Sequence, residues 1–380
     1  MIRKYLKRAS AVMIAFLIHA TCAQAENGVT ADTITLGQSA PFSGPAEEHG
    51  LDFRRGMELY FYHINDQGGV NGRKIALESL DDGFEPNRAV ANTTKLIEEK
   101  KVFSLIGYVG TSSSVAALRV STAAKVPFVA ALTGAEALRE PVNRYVFNVR
   151  ASDFQEIDGI VQQLTSIGMN KIAVFYQDDA DGAASLAGVK AALKRRKLDV
   201  AALGTVERNT LKVDNAVASI NKVSPNAVII IASYKSSAEF IRRMKASGSA
   251  AQFMNLSSVG GKALSTELGE LGRGVGVAQV VPLPWNTGVP VVSEYQKRMI
   301  EISSRDFTFT GLEGFIAAKV MVEGLKRAGK DLTREKFIAA METMKGFDVG
   351  GVRVTYSPED HRGSMFVEMT ILSKDGKFVR

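Results

Sequence analysis

The chain has 380 residues, 46% hydrophobic and 23% charged, with a formal charge of +7 and one cysteine. This composition excludes a disordered or collagen-like chain, and the length suits two domains. One cysteine excludes a disulfide framework and a cysteine-built metal site.

The first 25 residues read as an export signal rather than as part of the fold. Arg3, Lys4, Lys7 and Arg8 form a basic start, AVMIAFLIHA (11–20) a short apolar run, and Ala23-Gln24-Ala25 a small-x-small cleavage site. Cleavage is expected after Ala25, with a periplasmic destination. Cys22, preceded by His19-Ala20-Thr21, is a poor lipoprotein match, so no lipid anchor is expected. Removing four basic residues from +7 leaves +3, which points to no polyanionic partner and no nucleic acid. The cluster Lys194-Arg195-Arg196-Lys197 reads as a solvated helix end favoured by the helix dipole.

Apolar runs alternate with amphipathic stretches from there on. TITLGQSA (33–40) predicts a strand, followed by a helix from about Gly50 to Asn65. KIALESLDD (74–82) predicts a strand and NRAVANTTKLIEEK (87–100) a helix. VFSLIGYV (102–109) predicts a strand that runs into Thr111-Ser112-Ser113-Ser114 and a helix. VPFVAAL (126–132) is the next strand. After NRYVFNVRAS (143–152) the rhythm restarts with strands at 171–179, 198–207, 226–233, 252–258 and 274–284, separated by helices. Helices at 293–304 and 312–329 follow, then hairpin-like strands. The order is α/β, with parallel sheets covered by helices.

In such sheets ligands bind beyond the carboxyl ends of the strands. The loops expected at one cleft are 111–114, 131–134, 178–182, 233–234 and 255–258. The hydroxyl run admits two readings. Ser and Thr cap helices, and a helix start with free N–H groups and hydroxyls also holds an anion.

No catalytic or metal constellation emerges. His49, His63 and His361 have no metal spacing. Gly261-Lys262 lacks the rest of a phosphate loop. Nothing around Ser112–Ser114 makes a nucleophile elbow. Gly272-x-Gly274-x-Gly276 lacks dinucleotide spacing. Asp81-Asp82 reads as a capping or solvated pair. Asp178-Asp179-Ala180-Asp181 falls short of a calcium loop. No cofactor and no metal are expected, and no enzyme.

The segments SAPFSGPAEEHGLDFRRGMELYFYHINDQGGVNGRKI (39–75), DDGFEPNRAVANTTKLI (81–97), IGYVGTSSSVAAL (106–118), VPFVAALTGAEALRE (126–140), YVFNVRAS (145–152) and IAVFYQDDADG (172–182) resemble the Leu/Ile/Val-type periplasmic binding proteins of ABC importers. The resemblance implies two Rossmann-like lobes, a type I periplasmic binding protein fold with a three-strand hinge. Crossings are expected near 150, 284 and 363. Lobe 1 is then 26–149 with 284–362, and lobe 2 is 150–283 with 363–380.

It also implies a ligand pocket. Thr111 and Ser112 would hold a ligand carboxylate, shared with Leu132, Thr133 and Gly134. His49 falls at a ligand-packing aromatic position, Tyr234 at a ligand-facing tyrosine, and Phe315 near another aromatic with Glu313 beside it. Gln155 is a further candidate just after the first crossing. Ser257 stands where amino-acid binders carry the acid for an ammonium, and Asp181 where they carry a tyrosine. Arg150 is read as a hinge or lobe-packing residue. The implied function is capture of a small carboxylate-bearing ligand, an amino acid or a related organic or aromatic acid, by a monomer that delivers it to a membrane permease. The alternatives are a ligand-sensing module reporting to a signalling partner, and a secreted hydrolase using Ser112 or Ser113.

Overall fold

The computed structural model describes residues 26–380 apart from Pro45 and Asn209; the export signal lies outside the described residues. The first sheet is built from β1 (Thr33–Ala40), β2 (Lys74–Asp81), β3 (Ser104–Ile106), β4 (Phe128–Val129) and β5 (Val146–Phe147), in the order β2-β1-β3-β4-β5. Every pairing in it is parallel. The intervening helices are α1 (Glu47–Asp66), α2 (Pro86–Glu98) and α3 (Thr111–Ala123).

The second sheet contains β6 (Ile172–Gln177), β7 (Leu203–Val206), β8 (Ala227–Ile231), β9 (Gln252–Asn255) and β10 (Gly276–Gln279). Helices α4 (Asp153–Ser166), α5 (Ala180–Arg195), α6 (Asp214–Asn221), α7 (Tyr234–Ala246) and α8 (Gly261–Leu268) alternate with these strands. The chain then returns to the first sheet's core with α9 (Pro290–Glu301), α10 (Phe309–Ala328) and α11 (Arg334–Glu342). A small antiparallel sheet, β11 (Phe347–Asp348), β12 (Arg353–Ser357) and β13 (Asp360–Gly363), follows. Finally β14 (Glu368–Leu372) and β15 (Phe378–Val379) complete the second sheet, in the order β15-β14-β10-β9-β8-β6-β7.

Sequence pattern tracks sheet position. The central strand β8, AVIII, is almost wholly buried because neighbours pair on both edges and helices cover both faces. The edge strand β7, LGTV, alternates exposed and buried. The strands are shorter than the apolar runs suggest. The 102–109 run is a strand only over Ser104–Ile106, and Gly107 then turns the chain with φ of 71°. The 252–258 run ends as a strand at Asn255, and Ser257–Val259 forms a 3-10 turn. Helix α11 was not anticipated, although Thr333 caps it by accepting from the Lys336 N–H at 3.2 Å. The basic cluster ends α5 as a solvated face, with Arg195 and Arg196 both reaching Asp158, at 2.7 and 2.8 Å.

Helix α10 is buried nearly all round and lies against α1. Their backbones approach so closely that only glycine fits: a Cβ on Gly56 would stand 1.9 Å from the Gly311 carbonyl oxygen, and one on Gly314 2.1 Å from that of Phe53. Gly314→Ala is expected to force the helices apart and cost about 1–3 kcal/mol, read as a lowered urea midpoint. An unchanged midpoint would contradict this contact.

Candidate functional site

The loops at the carboxyl ends of both sheets meet around a cavity of about 530 Å³. From the first sheet come the start of α3 and the turn at Leu132–Gly134. From the second come Asp179–Gly182, Ser233–Ser236 and Leu256–Val259.

The hydroxyl run does not cap its helix. Gly110 holds the N-cap position at φ of 85° and no side chain accepts there. The first internal bond runs from the Ser114 N–H to the Gly110 carbonyl at 3.1 Å. The N–H groups of Thr111, Ser112 and Ser113 therefore have no acceptor within the helix, and these residues line the cavity. The hydroxyls face sideways instead. Thr111 Oγ1 and Thr133 Oγ1 share a bond of 2.7 Å. Ser112 Oγ donates across the cavity to Asp181 Oδ2 at 3.1 Å.

Asp181 lies in the first turn of α5, whose cap is Asp179, accepting from the Gly182 N–H at 2.9 Å. Burial raises the Asp181 pKa, and the Ser112 hydrogen bond pulls the other way. Tyr234 opens α7 and lines the opposite wall. At the mouth, Arg208 lies over the Phe84 ring, 5.8 Å from its centroid.

The floor is an ionic cluster around Arg150, which is 3% exposed. Its Nη2 donates to Glu156 Oε1 at 3.1 Å and its Nη1 faces Glu313 Oε1 at 3.4 Å. It also bonds Ser257 Oγ. Ser257 in turn donates to Glu156 from N (2.7 Å) and Oγ (2.8 Å). Burial opposes the charge on Arg150, but Glu313 and Glu156 more than offset this and raise its pKa. Burial pushes the Glu156 carboxyl up to about 7 against the pull of Arg150. It raises Glu313 and Asp153 as well. Asp153 also lines the cavity, and its Oδ1 is buried with no hydrogen-bond partner.

Nine of the residues singled out from the sequence thus share one cavity: His49, Thr111, Ser112, Leu132 and Thr133, with Gly134, Asp181, Tyr234 and Ser257. Two expectations are corrected. Gln155 turns back to accept from the Ser152 N–H at 2.8 Å, closing a capping box that starts α4. Phe315 is wholly buried in the first core, edge-on to Tyr60 at 5.2 Å. Its neighbour Glu313 faces the cavity instead. The sequence reading passed over Asp153, Phe84 and Arg208, and it placed Arg150 only between the lobes. Asp81 and Asp82 are spent on the structure: Asp81 accepts from Phe42 and Gly83 N–H groups, and Asp82 from Ser39 and the Phe84 N–H. Among the described residues no group of His, Cys, Asp and Glu is placed to hold a metal.

Two predictions follow from this electrostatic arrangement. Arg150→Met leaves Glu156 and Glu313 without their cation and is expected to cost about 3–5 kcal/mol, read by chemical denaturation. Burial, with Arg150 nearby, lowers His49 from 6.5 to about 4. The unfolded chain then binds the extra proton first, so stability falls as pH drops from 6.5 through about 4. His49→Gln should flatten that part of the melting-temperature profile; an unchanged slope would count against a buried neutral imidazole.

The chain is similar to known proteins along most of its length. The family model described as Periplasmic binding protein matches residues 33–377. Leu/Ile/Val-binding protein homolog 7 of Brucella suis biovar 1 (strain 1330) is 26% identical over 343 residues, covering 86% of this chain and 81% of that protein. A solved structure of a possible leucine/isoleucine/valine-binding protein from Rhodopirellula baltica SH 1 superposes with a TM-score of 0.86 at 30% identity, over 94% of this chain and 98% of that one. A substrate-binding periplasmic protein from Ralstonia solanacearum gives 0.84 at 32% identity, over 91% and 99%.

Proposed function

Since the chain belongs to the Periplasmic binding protein family, we propose that it captures a small carboxylate-bearing ligand between two lobes and hands it to an ABC transporter permease. It does so as a periplasmic monomer, after removal of residues 1–25. The lobes divide as 26–149 with 284–362, and 150–283 with 363–380.

The observation that carries this reading is the start of α3. Three N–H groups without acceptors and two hydroxyls converge on the cavity. Charge-assisted bonds from such donors suit a carboxylate without a dedicated cation. The second sheet supplies Asp181, which faces the same donors through Ser112. A ligand bridging Thr111 and the α5 loop would contact both lobes, so binding would favour the closed arrangement.

For a ligand that carries an ammonium, Asp181 would be its partner. Ser257 cannot take that part, because Glu156 and Arg150 already occupy its hydroxyl. Among the described residues Asp181 accepts a single hydrogen bond, which leaves capacity for a ligand cation. Binding, not hydrolysis, fits the hydroxyls. Among the described residues neither Ser112 nor Ser113 is hydrogen-bonded to a histidine.

A thermal-shift screen on protein unfolded and refolded to strip carried ligand tests this. A ligand at about a hundred times its dissociation constant adds roughly 2.7 kcal/mol of stability. Amino acids, their des-amino acids and aromatic acids form the three arms. Any true ligand should lose about tenfold or more in affinity with Thr111→Val. If amino acids are the ligands, Asp181→Asn should remove their shift. A screen in which no carboxylate raises the melting point would sink the proposal.

A further inference from the structure

A second cavity, of about 490 Å³, lies beyond His49. Its walls come from α1, the Arg305–Thr310 segment, α8, β15 and the connection at Leu283 and Trp285. His49, Gly261, Phe309 and Thr310 line both cavities, so the two adjoin along these residues.

The apolar part of this cavity is aromatic. Trp285 meets Phe309 edge-on at 5.8 Å, and Phe309 meets Phe378 edge-on at 5.3 Å. Trp285, the only tryptophan in the chain, is 46% exposed. It is thus packed at right angles to Phe309 while nearly half its surface lacks a protein neighbour. Such rings favour a flat apolar guest, stacked or edge-on.

The charged part can be sorted by what is already engaged. Asp52 is bonded to Arg55 at 2.6 Å. Asp306 is bonded to Lys262 at 3.0 Å and to Arg55 at 3.3 Å. Glu48 lies 3.8 Å from Lys262, and Lys377 pairs with Asp375 at 3.0 Å. The three carboxylates of the wall, Glu48, Asp52 and Asp306, therefore share two cations, Arg55 and Lys262. Arg305 is different: it lines the cavity, and among the described residues its guanidinium has neither an ion pair nor a hydrogen bond.

We infer that this cavity is a second ligand site, separate from the cleft, for a flat aromatic acid whose ring lies against Trp285, Phe309 and Phe378 and whose carboxylate meets Arg305. An amine of the same shape gains nothing here, because the wall carboxylates are already paired and Arg305 repels it. The site stands whatever solute the main cleft takes. Its walls belong to elements of both sheets, and Lys262 on α8 bridges to Asp306 and Glu48 among them. A guest there touches the same Phe309 and His49 that face the cleft, so the two sites are coupled, and coupling of this kind is reciprocal.

The single tryptophan makes the test direct. The indole N–H of Trp285 gives one cross-peak in a ¹H–¹⁵N correlation spectrum, followed while 2-naphthoate is added to the purified protein. The peak should move saturably with 2-naphthoate and not with 2-naphthylmethylamine. Arg305→Gln, an exposed and fold-neutral change, should weaken the naphthoate about tenfold or more. Thr111→Val, which removes one donor hydroxyl from the cleft, should leave its affinity unchanged. No movement up to millimolar naphthoate overturns the inference, as does equal binding of the amine or equal affinity in Arg305→Gln. Loss of the shift in Thr111→Val would put the naphthoate in the main cleft and overturn it equally.

Discussion

A buried guanidinium is the constraint around which this protein is arranged. Arg150 sits where the chain leaves β5 and heads for the second sheet. Removing a cation from water is costly, and the protein offsets the cost with Glu156 from α4, Glu313 from α10 and the Ser257 hydroxyl beyond β9. Those partners come from segments far apart in the sequence. Satisfying one side chain therefore fixes the relation of α10, α4 and the 3-10 turn after β9, and with it the floor of the cavity. Burial raises three carboxyls there, Glu156, Glu313 and Asp153, and two buried guanidiniums, Arg150 and Arg139, pull against it.

The donors for a ligand arise from a different economy. A helix leaves its first N–H groups without partners, and four helices of this chain meet that deficit with a side chain. Ser152, Asp179, Thr308 and Thr333 each do so. Helix α3 does not, although it is the richest of all in hydroxyls. Gly110 in the left-handed region turns the backbone so that the hydroxyls point away from their own amides. The deficit is left open at a helix start that lines the cavity between both sheets' loops.

Much of the architecture was legible from pattern alone. Runs such as NAVIIIAS announce a central parallel strand, and the loop after each strand could be assigned to one cleft because that follows from topology. Nine of the chosen residues meet there for this reason. The failures are equally physical. Gln155 completes a Ser-x-x-Gln capping box that is readable at 152–155, a local signal outweighed by an expected distant one. Phe315 was placed on the wrong face because the rotation of α10 is set by Gly311 and Gly314 lying against α1, a contact with a partner some 250 residues away. The meaning of Arg150 was hidden for the same reason: nothing near it in sequence reveals Glu313. Strand ends were overestimated because apolar residues continue past the last ladder bond into the buried loops that line the site.

The glycine contact between α1 and α10 bears on how the chain reaches this state. Residues of β1 and β3 and Phe53 of α1 share one core with a helix ending at Ala328, while all of β6 to β10 is made in between. During synthesis the early elements must wait, their core incomplete, until a distant segment arrives. Closure over so long a loop is slow. The nascent chain therefore passes through a long interval in which it is incomplete, sticky and dependent on whatever shields it.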